Sequence, residues 1–289
     1  MVNFGKLLTA MVTPFDSKDR VDMNKVEHLI EYLITHKTDG LVVAGTTGES
    51  PTLSTKEKIG LFEQTVKVVN GRIPIIAGTG SNNTKETIEL TKHAENANVD
   101  AILLVTPYYN KPNQAGLYEH FRTVAQSTSL PVMLYNIPGR TMVHLTVDTI
   151  VALSQIDNIV AVKESSGNLD AISQIIEQTD DQFFVYSGDD SLTLPLQAIG
   201  ADGVVSVASH VIGDEMKQML DYFEQGNVNE AARIHRQLLP IMRGLFMAPS
   251  PAPVKAALRL KGIDTGDVRL PLVNLSEIEE QLLYDLIKN

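Results

Sequence analysis

The feature that most constrains this chain is a repeat. Eight short apolar, β-branched runs recur along it, each closed by small or polar residues and followed by a stretch with helical periodicity. The runs occupy residues 7–12, 40–44, 73–77, 101–105, 131–135, 159–162, 183–186 and 203–207. They are almost continuously apolar, as strands buried on both faces must be. Amphipathic segments such as 23–36, 55–69, 84–96 and 117–127 lie between them, and Ser54, Asn83 and Asn168 stand where helix N-caps belong. The pattern predicts the α/β class and a closed (β/α)8 TIM barrel over residues 1–225. No GxGxxG follows the first run, which weighs against an open doubly wound sheet. Helical segments at 213–225, 229–246, 253–260 and 275–288 exceed what closing a barrel requires. Residues 226–289 are therefore expected to form a C-terminal helical region, with no linker or low-complexity stretch dividing the chain.

Charge narrows the function classes. A net charge of -11 argues against nucleic acid as a partner, because phosphate binding needs a basic stripe. One or two local cations can still hold a small anion against that field. The apolar start of the chain is interrupted by Pro14 and Asp16, which fits neither a signal peptide nor a membrane helix, so no membrane partner is expected. Cysteine is absent, which agrees with a reducing cytoplasm.

In a barrel, chemistry sits on the loops at the C-terminal ends of the strands. Here those ends carry Gly45-Thr46-Thr47-Gly48-Glu49-Ser50, Thr106-Pro107-Tyr108-Tyr109-Asn110, Tyr135-Asn136-Ile137-Pro138-Gly139-Arg140-Thr141, Lys163-Glu164 and Ser187-Gly188-Asp189-Asp190. Hydroxyls, a lysine and an arginine converge on one rim. Lys163 follows a buried strand. A surface lysine paired with Glu164 is the plain alternative, but burial disfavours an ammonium and favours the neutral amine that attacks a carbonyl. Thr46 and Thr47 could cradle a carboxylate, or the segment could be a simple turn before the Ser54 cap. Tyr135 and the Tyr108-Tyr109 pair read equally well as packing. Arg140, held by Pro138 and Gly139, suits a bidentate carboxylate clamp. The seven histidines show no ligand spacing, and Asp189-Asp190 read as capping and loop-bonding residues, so no metal is expected.

Taken together these segments resemble the pyruvate-dependent Schiff-base class I aldolases of the N-acetylneuraminate lyase superfamily. The resemblance extends over nearly the whole chain. It includes Ile76-Ala77-Gly78-Thr79-Gly80, Tyr186-Ser187-Gly188-Asp189-Asp190, Pro251-Ala252-Pro253-Val254-Lys255 and Arg269-Leu270-Pro271. It implies that Lys163 forms an imine with pyruvate and that Tyr135 shuttles protons, with Thr47 and Tyr109 completing a hydrogen-bonded relay. Tyr109 or its neighbour would reach into an adjacent subunit, within a homotetramer built as a dimer of dimers. Thr46 and Thr47 would hold the pyruvate carboxylate, and Gly188 and Val205 would line the pocket, Val205 standing where an isoleucine is common.

Arg140 matches the residue that binds the carboxylate of L-aspartate 4-semialdehyde in the synthase branch of the superfamily, and favours that branch over N-acetylneuraminate or 2-keto-3-deoxy sugar acid aldolases. No metal or organic cofactor is implied. In lysine-inhibited members an interface site uses residues matching Ser50, Pro51, Thr55, Lys58, Asn82, Glu86 and Tyr108. Thr55 and Lys58 replace common histidines here, and a cationic Lys58 would repel lysine's ammonium groups, so weak or absent lysine inhibition is expected.

Overall fold

The computed structural model describes residues 4–288. Residues 1–3 and 289, which open the predicted barrel and close the predicted C-terminal region, lie outside the described residues. Eight strands form the frame: β1 (Leu7–Ala10), β2 (Gly40–Val43), β3 (Ile75–Gly78), β4 (Ala101–Val105), β5 (Val132–Asn136), β6 (Ile159–Glu164), β7 (Phe184–Ser187) and β8 (Gly203–Ser206). They pair in chain order, all in parallel, and β8 closes on β1 with Leu8 opposite Val205. This is the (β/α)8 barrel expected from the repeat. The sixth run extends further than its apolar residues suggested, because Lys163 and Glu164 still pair with Tyr135 and Asn136 of β5.

Twelve α-helices surround the strands: α1 (Met23–Thr35), α2 (Thr55–Val69), α3 (Thr84–Asn96), α4 (Gln114–Ala125), α5 (Pro138–Thr141), α6 (Val147–Ser154), α7 (Leu169–Gln178), α8 (Thr193–Ala198), α9 (Ser209–Glu224), α10 (Val228–Gly244), α11 (Ala252–Leu260) and α12 (Glu277–Lys288). Several of their starts are fixed by side-chain caps. Ser54 and Glu57 form a reciprocal capping box on α2, while Asn83 and Asn168 accept backbone N–H groups at the heads of α3 and α7. Asn113 caps α4, so that helix begins three residues before its periodic apolar positions. The single-turn α5 and the short α8 are too brief to display a helical period in the sequence.

Side-chain alternation along the strands divides the core in two. Phe4, Leu8, Val42, Ile76, Leu103, Met133, Ala161 and Val205 pack together inside the barrel. Ile102, Leu104, Val132, Leu134 and Val162 belong to the larger core beneath the helices. Fully buried His210, in α9, joins β1's exit to β8's exit. Its Nε2 accepts from the Val12 N–H at 3.2 Å, and its Nδ1 lies 2.8 Å from the Val207 carbonyl, to which it donates as the neutral tautomer.

Burial lowers the His210 pKa to about 4, well below the ordinary 6.5. A depressed histidine contributes stability that is fully present above the unfolded pKa and is lost as pH falls from about 6.5 to about 4. The expected loss is about 3 kcal/mol. Urea unfolding at pH 7 and pH 4, on the wild type and on His210→Asn, checks this. The wild type should show that component of acid loss and the variant should lack it.

The chain after α9 is tied back onto the rim. Lys255 of α11 forms a fully buried ion pair with Glu49 at 2.7 Å and donates to the Asp267 carbonyl at 2.8 Å. The Arg269 backbone N–H bonds the second Glu49 oxygen at 2.8 Å, and the Arg269 guanidinium pairs with Glu57 and donates to the Thr52 carbonyl. α12 packs against α10 and α11.

Candidate active site

Register places the candidate nucleophile. Tyr135 of β5, Lys163 of β6 and Tyr186 of β7 are direct neighbours across three strands. Lys163 lies two residues past inward-facing Ala161, so it also faces into the barrel, where it is 6% exposed. Its Nζ stands 4.2 Å from the centroid of the Tyr135 ring, and Tyr135 is itself buried. Glu164 points the opposite way. It accepts from Asn136 Nδ2 at 2.8 Å and from the Ser166 N–H at 2.6 Å, so the lysine–Glu164 pair considered from the sequence does not form. Among the described residues Lys163 has no ion-pair partner at all.

Gly188, at the exit of β7, makes room for that lysine. A Cβ built there would lie 1.8 Å from Ser165 Oγ and 2.9 Å from Lys163 Cε. Any side chain at this position must therefore displace the lysine stem or Ser165. Val205, buried within the barrel, belongs to the same interior cluster as Tyr135.

Above these groups lies a cavity of about 280 Å³ lined by Thr46, Ser50, Lys58, Tyr108, Tyr135 and Arg140, among others. The loop bearing Thr46 and Thr47 is stiffly held. Thr13 Oγ1 donates to the Gly48 carbonyl at 2.6 Å, the Ser50 N–H bonds the Gly45 carbonyl, and Glu49 sits in a left-handed conformation fixed by Lys255 and Arg269. Thr47 is buried, while Thr46 lies partly open on the cavity wall.

Arg140 is exposed in α5, at the cavity's rim. That single turn is anchored from below. Thr106 Oγ1 donates to Thr141 Oγ1 at 3.1 Å, Thr141 Oγ1 lies 3.0 Å from the carbonyls of Ile137 and Val143, and Asn136 Oδ1 accepts from the Leu145 N–H.

Tyr109 is the exception. It is 89% exposed with φ +69°, and it makes no part of the cluster around Lys163 in its own chain. Tyr108 beside it stays on the cavity wall, where its carbonyl accepts from Asn82 Nδ2 at 3.2 Å. Burial and the nearby Glu86 carboxylate raise the Tyr108 pKa. Burial lowers the Lys58 pKa against the opposing pull of the same Glu86. Ser50, Asn82, Glu86 and Tyr108 thus gather near Lys58 at one edge of the cavity.

Asp189 and Asp190 serve loop geometry, as anticipated. Asp189 accepts from the Ser191 N–H, while buried Asp190 accepts from Ser206 Oγ at 2.5 Å and from the N–H groups of Val207 and Ala208. Among the described residues no group of three or more His, Cys, Asp or Glu side chains is arranged to hold a metal, and no helix is long and apolar enough to cross a membrane. The sequence reading missed Asn136, Glu164, Ser165 and the Glu49–Lys255 pair. Asn136, Glu164, Ser165 and Glu49 lie next to or near singled-out residues, which gives no hint of direction or partner, and Lys255 stands only within a resemblance motif.

Lys163 thus faces the barrel interior against Tyr135, and Tyr135 shares a cavity with Thr46 and Arg140. The sequence model of the dihydrodipicolinate synthetase family matches residues 3–289.

The chain belongs to the dihydrodipicolinate synthetase family.

It is 61% identical over 286 residues to a 4-hydroxy-tetrahydrodipicolinate synthase of Bacillus velezensis, covering 99% of each chain. It is also 61% identical over 287 residues to the enzyme of that name from Bacillus subtilis, again with 99% of each covered. Among solved structures, a dihydrodipicolinate synthase from Bacillus anthracis superposes with a TM-score of 0.99 at 54% identity, covering 100% of this chain and 99% of that one. The enzyme from Cyanidioschyzon merolae with lysine bound gives 0.97 at 46% identity, covering 99% and 97%. Family membership at this identity and coverage favours the synthase reading over the sugar-acid aldolase considered beside it.

Proposed function

We propose that this chain is a 4-hydroxy-tetrahydrodipicolinate synthase, a lyase of the class I aldolase type that condenses pyruvate with L-aspartate 4-semialdehyde. The observation that carries the reading is Lys163 Nζ, buried beside Tyr135 and below a cavity with Arg140 on its rim. The amine attacks the pyruvate ketone and water leaves, giving an imine. Its electron-withdrawing nitrogen acidifies the neighbouring methyl group, whose deprotonation gives an enamine. The enamine carbon then attacks the semialdehyde. The imine is the electron sink, so the reading calls for no metal or organic cofactor. Thr46 and Thr47 hold the pyruvate carboxylate, Tyr135 moves protons at the reacting centre, and Gly188 and Val205 shape the pocket floor.

Arg140 takes the carboxylate of the second substrate. Arg140→Ala should lower kcat/KM for L-aspartate 4-semialdehyde by roughly 100-fold. Borohydride reduction with pyruvate should still add a stable mass to the Lys163 peptide. If adduct formation and condensation fall together, Arg140 serves the structure of the rim instead.

Tyr109 enters the reading through assembly. Its exposure and left-handed backbone support a role in completing the relay of a neighbouring subunit, within a homotetramer. A dihydrodipicolinate synthase variant described as monomeric, 39% identical to this chain, shows that assembly varies among such relatives.

For regulation, the grouping of Ser50, Asn82, Glu86 and Tyr108 supports an effector pocket, but Lys58 places a cation within it. The expected outcome is weak or absent lysine inhibition. A steady-state assay yielding a sub-millimolar inhibition constant would reverse this.

A further inference from the structure

Resting on the imine reading above, we infer that Ser165 is a further catalytic residue, whose hydroxyl donates a hydrogen bond to the oxygen leaving pyruvate C2 while the imine forms on Lys163.

Ser165 follows Lys163 by two positions and continues β6 beyond its last paired residue, where its N–H bonds the Asn136 carbonyl at 2.9 Å. That spacing returns its side chain to the barrel side, next to the lysine. The Gly188 backbone supplies a measure of closeness. The point a Cβ would occupy there lies 1.8 Å from Ser165 Oγ, 2.9 Å from Lys163 Cε and 3.1 Å from Lys163 Cγ, so the hydroxyl flanks the lysine stem. Ser165 Oγ is shielded from solvent and has no hydrogen-bond partner among the described residues. A buried hydroxyl without a partner is costly, and residues of that kind ask for an explanation. The neighbouring serines show the contrast: Ser187 Oγ donates to the Asp189 carbonyl and Ser206 Oγ to Asp190.

The chemistry supplies the missing partner. The neutral Lys163 nitrogen uses its lone pair to bond C2, the C=O π pair moves onto oxygen, and a proton from the nitrogen is relayed to that oxygen, giving a carbinolamine. A second proton, which the imine reading assigns to Tyr135, lets the C2–O bond break with its electrons leaving on water. The nitrogen lone pair then closes the C=N bond, leaving an iminium and a tyrosinate. The departing oxygen is attached to the atom bonded to Nζ, at the end of the stem that Ser165 Oγ flanks. A donor there stabilises charge building on that oxygen throughout both steps and keeps its own proton. Gly188 is small because both partners need that space.

The test uses the intact assembled protein and pyruvate alone. Wild type, Ser165→Ala and Ser165→Thr are mixed with pyruvate, quenched into borohydride at increasing times, and the Lys163 adduct is followed by mass. The alanine variant is expected to form the adduct roughly tenfold or more slowly, with an unchanged thermal midpoint, while the threonine variant keeps most of the wild-type rate. An alanine variant that forms adduct at the wild-type rate overturns the assignment. So does an equal loss in alanine and threonine variants, which would mark a packing role. A wild type that gives no adduct would instead defeat the imine reading itself.

Discussion

Lys163→Met is expected to lose condensation activity by at least three orders of magnitude and to lose the borohydride-trapped pyruvate adduct entirely. The expectation follows from position as much as from chemistry. Lys163 Nζ lies in the barrel interior against Tyr135, which lines the cavity, and opposite a glycine that leaves it space. Methionine preserves the length and apolar stem of the side chain, so the barrel interior stays filled. The adjacent positions on β5 and β7 are tyrosines, which cannot form an imine. Intact-mass analysis after reduction, with a coupled assay on both substrates, reads the two effects separately. Activity within tenfold of wild type would exclude amine catalysis.

The second large effect concerns stability. Lys255→Met should destabilise the fold by roughly 3–5 kcal/mol, the range for breaking a buried ion pair from one side. The pair is inaccessible on both sides, with side-chain exposures of 2% for Lys255 and 0% for Glu49. Removing the lysine leaves a carboxylate that cannot reach water and keeps the Arg269 N–H as its remaining bonded donor. Burial lowers the Lys255 pKa, and the Glu49 charge opposes that shift. Combining Lys255→Met with Glu49→Gln should recover part of the loss, because no unpaired charge is then buried. Urea unfolding of the two single variants and the double variant checks this. The single lysine variant should also bind pyruvate less well, since Glu49 fixes the turn that carries Thr46 and Thr47. Loss of stability with no change in pyruvate binding would confine the pair to holding the C-terminal segment.

The barrel was legible because burial on both strand faces leaves a mark that needs no tertiary knowledge: uninterrupted apolar runs at a steady spacing. The candidate nucleophile was legible for the same reason, as a lysine ending such a run is out of keeping with it. Helix starts at Ser54, Asn83 and Asn168 were readable from capping chemistry, which is local. What escaped was everything set by distant partners. Glu49 looked like one more polar loop residue because Lys255 and Arg269 come from the far end of the chain. Asn136 looked like filler between Tyr135 and Ile137, yet it bonds Glu164 and the Leu145 N–H and so anchors the turn that presents Arg140. The outward swing of Tyr109 depends on a left-handed backbone that residue type alone does not announce.

The opposite orientation of neighbours on β5 and β6 has a consequence for how this enzyme class can change. Tyr135 and Lys163 face the barrel interior while Asn136 and Glu164, one step later, brace the loops outside it. Inserting or deleting a single residue ahead of either pair would exchange the two roles, putting an amide or a carboxylate where the amine belongs. Length in these two strands is therefore as restrictive as residue identity, and new specificities have to be found in the loops beyond them.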